Sequence, residues 1–386
     1  MARRCTPAPS TTADPARRRL LWAGCAAATG AGWPGASRAA AFAPRVVEVA
    51  RGLEHPWSLA FLPDGTMLVT ERPGRLRIVS PSGVVSAPLA GVPAVRALQQ
   101  GGLLDVALSP AFERDRTVFL SYAEPSGIAS ARTAVARAEL AGRELRNLRV
   151  IFRQKQDALG GMHFGSRLVF GRDGTLFATL GERFTERARA QDLSTHFGKV
   201  VRIHADGSVP ADNPFVKTAG ALPEIWSYGH RNPQGAALHP ASGRLWIHEH
   251  GPQGGDEVNL TLAGRNYGWP VITHGREYVT GTAIGEGTAK AGMEQPLWQW
   301  TPSIAPSGMA FCTTDRYPGW KGSLLVGALK FMLVSRLELD GEKVLREERL
   351  LTDVGERIRD VREGPDGHVW LLTDSPEGRL LRLAAT

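Results

Sequence analysis

A short pattern recurs along this chain: an apolar strand, a tight turn rich in Pro, Asp and Gly, then a second apolar strand. It stands as "LAFLPDGTMLVTE" from Leu59, "VALSPAFERDRTVFLSY" from Val106, "LVFGRDGTLFATLGE" from Leu168 and "AALHPASGRLWIHEHG" from Ala236. A looser copy, "GMAFCTTDRYPGWKGSLLVGA", starts at Gly308, and "VREGPDGHVWLLTD" starts at Val361. Asp-Gly and Ser-Gly between apolar runs are hairpin signals. Six copies spaced roughly fifty to seventy residues apart point to a radial repeat. Nothing reads as a long amphipathic helix, which disfavours α/β folds. Six four-stranded antiparallel blades at this spacing use about 340 residues, so the expected fold is an all-β, six-bladed β-propeller. A seven-bladed propeller and a pair of β-sandwiches are the alternatives; six blades fit the number of copies.

That length is what remains once residues 1–43 are set apart as an export signal, leaving 44–386 as one propeller domain. The formal net charge of +8 is concentrated in this leader, where six arginines face the single acid Asp14 and supply +5. The remainder carries only +3, so nucleic acid is not an expected partner. Arg17-Arg18-Arg19-Leu20-Leu21 followed by small and apolar residues fits a twin-arginine signal, with cleavage among Ala39, Ala41 and Ala43. Pro34 and several glycines interrupt the run, so no transmembrane segment is expected. Cys25 in "WAGC" loosely resembles a lipoprotein box but lacks the usual leucine and follows the arginines too closely. Cys5 and Cys25 leave with the leader, and Cys312 alone forms no internal disulfide. A periplasmic or secreted, disulfide-free protein is expected, held by its core; 42% of the residues are hydrophobic, ample for one.

In a propeller, loops before the innermost strands meet at one end of the axis. Those positions hold His55, Gln100, His163, Arg231 with Asn232, Ser303, and Arg357 with Arg359. A polar residue at this place in every repeat describes a polar site at the channel mouth.

His163 lies in "GGMHFGSRL", either a surface turn or a base at the floor of a site, with Gly160, Gly161 and Gly165 leaving room for ligands. "SYGHRNPQG" offers Arg231, whose planar fork suits carboxylates or carbonyls, although an arginine packed between blades would look the same. "EHGPQGGDEVNL" combines glycines with Glu249, Asp256 and Glu257, either a site for a hard cation such as calcium or a solvated acidic turn. "RNYGWP" reads as a structural turn, and Lys330 in "GALK" as a strand end. There is no Gly-x-Ser-x-Gly elbow, His-Glu-x-x-His, Walker loop or dinucleotide fingerprint.

Together, "QGGLLDVALSP", "HFGSRLVFGRDGTLFATLGE", "EIWSYGHRNPQGAALHP", "EHGPQGGDEVNL", "NYGWP", "GALK" and "RIRDVREGPDGHVWLLTD" resemble the glucose/sorbosone dehydrogenase family. The resemblance is strongest to its soluble quinoprotein aldose sugar dehydrogenases, and runs from about Val47 to Leu383, where seven motifs stand in the same order. It implies a six-bladed propeller that binds pyrroloquinoline quinone (PQQ) and calcium on the axis and oxidises aldose sugars at C1 to lactones. Electrons would pass to a quinone or dye acceptor. By this resemblance His163 is the general base, Arg231 polarises the quinone carbonyl, and Gln100 contacts both sugar and cofactor. Asn232, Lys330, Arg357 and Arg359 would hold the cofactor, the last three neutralising its carboxylates. The carbonyls of Gly251 and Pro252 would ligate the cofactor-side calcium; Glu257 and the Tyr267 region match a second ion position.

Three positions depart from the pattern: Glu182 replaces an aspartate that supports the base, His250 a glutamine, and Thr301 a tryptophan over the quinone. The large insertions that shape the glucose pocket and dimer interface are also missing, so a broad aldose preference and a monomer are expected. Two other functions compete: a non-catalytic carbohydrate- or protein-binding propeller, and a calcium-dependent lactonase.

Overall fold

The protein is described here by a computed structural model covering residues 42 and 44–385. The export-signal assignment therefore lies outside the described residues, apart from Phe42. Among the described residues no helix is long and apolar enough to cross a membrane.

Each sequence repeat becomes the inner hairpin of one antiparallel sheet, and there are six sheets. The innermost strands are Pro56–Phe61, Leu103–Leu108, Leu168–Phe170, Pro233–Leu238, Pro306–Phe311 and Ile358–Glu363. Each packs beside the next, and the sixth returns to the first, closing the ring. The turns repeat one device. Asp64 accepts the Thr66 backbone N–H (2.9 Å) and hydroxyl (2.6 Å), and Asp173 does the same for Thr175 at 3.0 and 2.7 Å. Gly65 and Gly174 sit between them at φ +83° and +78°, a conformation that costs any other residue.

The blades are sealed by alternation. Val118 and Leu120 face the first blade in one apolar cluster, while Phe119 between them faces the third blade in another. The same split separates Leu325 from Leu324 and Val326, and Leu371 from Trp370 and Leu372. Both faces of each second strand are thus buried, which is why those strands are nearly continuous apolar runs.

The last blade is completed by the chain's beginning: Arg45–Leu53 pairs with Gly378–Ala384, from Arg45 opposite Ala384 to Leu53 opposite Gly378. This leaves no open seam in the ring. Four blades have four strands. The second blade gains a short strand, Ala158–Leu159, against Ser130–Ala141. The first has three strands and a lone Val79–Val85 bridge where a fourth would run. Pro88 and Pro93 lie there and cannot donate to a ladder.

Midway along the axis a buried charge network crosses between blades. Asp105 accepts from Ser58 Oγ (2.5 Å), Arg167 Nη1 (3.1 Å) and Arg362 Nη2 (3.1 Å). Arg167 Nη1 also lies 3.2 Å from Asp360, whose other oxygen accepts Arg362 Nε at 2.9 Å. On one side is a cavity of about 500 Å³ lined by all six innermost strands; the polar mouth lies on the other.

Candidate active site

Innermost strands begin at this mouth and second strands end there, so two sets of residues meet. The first set is the one the repeat register predicts. The second, residues just after each second strand, supplies Arg72, Glu182, His250 and Asp374.

A cavity of about 210 Å³ sits on the axis, with Gln100, Arg357 and Arg359 in its wall. Trp57, Arg72, Gln234 and His250 complete its polar and aromatic lining. Arg359 is buried, donating to Gln234 Oε1 (3.0 Å) and Asp374 Oδ2 (2.9 Å). Arg357 is exposed and reaches the same carboxylate oxygen at 3.2 Å. Burial pushes the Asp374 carboxyl up, but the guanidiniums of Arg359, Arg72 and Arg357 hold it well below the usual carboxylate range. His55 joins the group, Nδ1 to Asp374 Oδ1 at 3.1 Å. Three arginines with one carboxylate leave this cavity cationic. Lys330 is exposed beside it, its amine 5.4 Å from the Phe331 ring centroid; Leu329, not Lys330, lines the wall.

His163 lines neither cavity itself but touches a wall residue of each, Gln100 of this one and Glu182 of a second. Its backbone N–H donates to Gln100 Oε1 at 2.9 Å. Its Nδ1 is 3.2 Å from Glu182 Oε2, close but not aligned as a hydrogen bond. Glu182 also accepts the Phe184 backbone N–H. Burial, then the Arg231 guanidinium, hold the imidazole below its ordinary pKa against the opposing pull of Glu182, so the ring is neutral near pH 7. The Phe184 ring meets it edge-on with centroids 5.4 Å apart. Two of the glycines do not make ligand room. A Cβ on Gly161 would lie 2.3 Å from Leu98 O, and one on Gly165 2.7 Å from Thr179 O, so backbone already fills that space. Their service is to let chain segments approach and set the His163 loop.

The second cavity, about 250 Å³, has Glu182, Phe184, Arg231, Trp269, Tyr278 and Ile284 among its walls. Arg231 donates through Nη1 to Gly251 O (2.7 Å) and His250 O (3.0 Å), and through Nη2 to Tyr278 Oη (3.3 Å). Its Nε makes no hydrogen bond but lies 4.0 Å from Glu182 Oε1, and Asn232 Nδ2 is buried without a hydrogen bond; Asn232 Oδ1 accepts the Gly165 N–H at 3.2 Å. Both donors are free to meet acceptor atoms of a ligand at the mouth.

The acidic turn divides its labour. Asp256 accepts Gly251 N–H (2.9 Å), Ser303 Oγ (2.7 Å), Ile304 N–H (2.8 Å) and Ala305 N–H (2.9 Å), although burial pushes its pKa up to about 6. It is a structural pin holding the Gly251–Pro252 turn. Glu257 instead faces Glu249 across adjacent strands. Burial and then the Glu249 carboxylate push its pKa well up. Glu249 is already engaged, Oε1 by His230 Nδ1 (2.9 Å) and Oε2 by the Arg231 N–H, so Glu257 is the carboxylate left for a hard cation. The Tyr267 hydroxyl is already engaged, donating to Leu260 O (2.5 Å) and accepting Leu262 N–H (2.8 Å), so only its backbone remains for an ion. Among the described residues no three His, Cys, Asp or Glu side chains converge as a metal cluster.

His250 donates to Pro306 O, holding the fourth innermost hairpin to the fifth strand's start. Thr301 accepts the Gly255 N–H at 3.1 Å, so aromatic cover comes instead from Trp57 on one cavity and Trp269 on the other.

A ring-closed six-bladed propeller with a buried neutral histidine, a paired arginine and a cationic axial cavity at one mouth belongs to the class of axial-site propellers. The family described as Glucose / Sorbosone dehydrogenase matches residues 53–382. The chain belongs to the glucose/sorbosone dehydrogenase family. It is 49% identical over 337 residues to the aldose sugar dehydrogenase YliI of Escherichia coli K12, covering 86% of this chain and 90% of that protein. The crystal structure of the soluble aldose sugar dehydrogenase from Escherichia coli, in its apo-form, aligns with TM-score 0.86 at 48% identity, over 89% of this chain and 99% of the other. The PQQ-bound aldose sugar dehydrogenase of Streptomyces coelicolor aligns with TM-score 0.70 at 29% identity, over 89% and 100%.

Proposed function

We propose that this protein oxidises aldose sugars at C1 to lactones, with PQQ and calcium, and passes the electrons to a quinone or dye acceptor. The observation that carries this reading is the cationic cavity of about 210 Å³, walled by Arg72, Arg357 and Arg359, with His163 bound to its wall residue Gln100 and Arg231 to its wall residue His250. Three guanidiniums fit a tricarboxylate, and Asn232 Nδ2 and Arg231 Nε fit acceptor atoms on the same ligand. PQQ, when bound, supplies a two-electron acceptor that also takes the C1 hydrogen.

The remaining work falls to the chain. Glu182 faces Nδ1 of His163, leaving Nε2 to take the proton from the anomeric hydroxyl. Arg231 presents positive charge where negative charge develops as that proton leaves. Phe184, Trp269 and Tyr278 limit water around the sugar. The carbonyls of Gly251 and Pro252 would hold the cofactor-side calcium once Arg231 Nη1 releases Gly251 O, and Glu257 with the Tyr267 backbone would hold a second ion. The axial carboxylates that a calcium lactonase would need, Asp105 and Asp360, are instead engaged by Arg167 and Arg362. Export to the periplasm, and action as a monomer, belong to the same proposal, as the leader and the missing insertions suggest.

The test adds PQQ and calcium to purified apoprotein and follows dye reduction with several aldoses. Reduction that needs both cofactor and sugar is expected; failure to bind PQQ refutes the reading.

A further inference from the structure

The 250 Å³ pocket has an outer wall that neither the repeat nor the motifs foreshadow. One side is the segment Phe184–Arg187, just past the second strand of the third blade. The other is a hairpin turn, residues 277–282, inside the long connection between Asp256–Thr261 and Trp298–Trp300. The hairpin is firmly rooted. Gln253 and Arg276 exchange backbone hydrogen bonds at 3.1 and 3.2 Å, Glu277 N–H donates to Thr282 O at 2.9 Å, and Arg276 bridges Ala283. At its tip Val279 sits at φ +70° with a fully exposed side chain. A β-branched residue rarely adopts that conformation, so the tip keeps its shape at a local cost.

From this tip two contacts reach back over the pocket. Tyr278 Oη accepts from Arg231 at 3.3 Å, and Glu277 Oε1 accepts from Arg187 Nη1 at 2.5 Å. The second contact joins residues 90 apart in sequence and ties the third blade to the fourth. Beneath it lie Arg231, Glu182 and the histidine. Drug-sized ligands occupy pockets of about 300–1,000 Å³. A space of about 250 Å³ that opens to solvent suits one pyranose ring, with the Arg187–Glu277 contact at its rim.

We propose that the Arg187–Glu277 bridge determines substrate size: it closes the outer wall so that one sugar unit fits with C1 toward His163, and its opening lets a second unit project outward. This rests on the sugar-oxidising reading above. The pair is partly exposed, 47% and 32% at the two side chains, so it is weak enough to break without unfolding the chain.

The test compares kcat/KM for maltose and for glucose in the PQQ- and calcium-loaded parent, Arg187→Ala, Glu277→Gln and the charge-swapped pair R187E/E277R. Each single variant is expected to raise the maltose-to-glucose ratio by about fivefold or more, a change within reach of pocket contacts. The swapped pair is expected to bring the ratio back toward the parent, and melting temperatures to stay within about 2 °C of it. An unchanged ratio in both single variants overturns the inference, as does a ratio that the swapped pair leaves raised. A parent that oxidises no aldose overturns the functional reading and this inference with it.

Discussion

Glu182 binds the two central residues of the site together: its carboxylate lies 3.2 Å from His163 Nδ1, and its backbone N–H donates to Arg231 O at 2.9 Å. The longer side chain that stands where an aspartate was expected still reaches the histidine. Base and electrophile are therefore placed by one short segment at the end of the third blade's second strand.

The first prediction concerns pH. Burial and Arg231 favour neutral His163 in the fold, and Glu182 favours its charged form. The acid limb of kcat/KM should therefore lie below the ordinary histidine value of about 6.5. Glu182→Gln removes the group that raises the pKa, so the limb should move to still lower pH while turnover at pH 7.5 falls. His163→Ala should lose about 10²- to 10⁴-fold in turnover and still bind PQQ. A limb that moves upward in Glu182→Gln refutes this coupling.

The second concerns the cationic cavity. Hydrogen bonds to charged groups contribute about 1.5–3 kcal/mol, or roughly 10- to 100-fold in affinity. Arg72→Ala and Arg359→Ala should each weaken PQQ binding by that factor, read from quenching of protein fluorescence during titration of the apoprotein. Lys330→Ala should cost less, because Lys330 stands outside the wall. Equal affinity in Arg72→Ala would remove Arg72 from the cradle.

Much of this site was legible because a radial fold turns sequence register into spatial position. Gln100, His163, Arg231, Asn232, Arg357 and Arg359 converge since each lies at or just before the start of an innermost strand. Arg72 and Asp374 escape that register because they follow second strands, which end at the same mouth, while Trp57 lies in the register and escapes because only polar positions mark it as a site. The closing strand Arg45–Leu53 was invisible because its partner lies at the other end of the chain, and it carries no turn signal. The roles of Gly161 and Gly165 were misread because a sequence does not say whether ligand or backbone fills the space a Cβ would take.

The third prediction concerns calcium. Glu249 and Glu257 face one another across paired strands with Asn259 Nδ2 donating to both, and burial with the Glu249 carboxylate pushes the Glu257 pKa up, an effect that a bound cation would oppose. Calcium at a hundredfold excess over its Kd should stabilise the fold by about 2.7 kcal/mol, raising Tm, and EDTA should reverse the gain. Glu257→Gln should abolish most of the shift. A full calcium-dependent shift in that variant would place the ion elsewhere.

The fourth concerns where the leader ends. Phe42 falls within the segment the sequence marks for removal, yet its ring packs at 5.9 Å edge-on against Trp320 and at 6.1 Å from Tyr317. Such aromatic pairs contribute about 0.5–1.5 kcal/mol each beyond the apolar area they bury. Cleavage after Ala43 would discard both contacts, whereas cleavage after Ala39 or Ala41 keeps them. On the proposal that a leader is removed, the N-terminus of the mature protein, read by mass spectrometry, should lie at or before Phe42. Phe42→Ala should lower stability by about 1–2 kcal/mol in a urea titration, less than a fully buried phenylalanine because the ring is only half-buried. A mature chain beginning at Pro44 with unchanged stability would show that these contacts do not hold the last two blades.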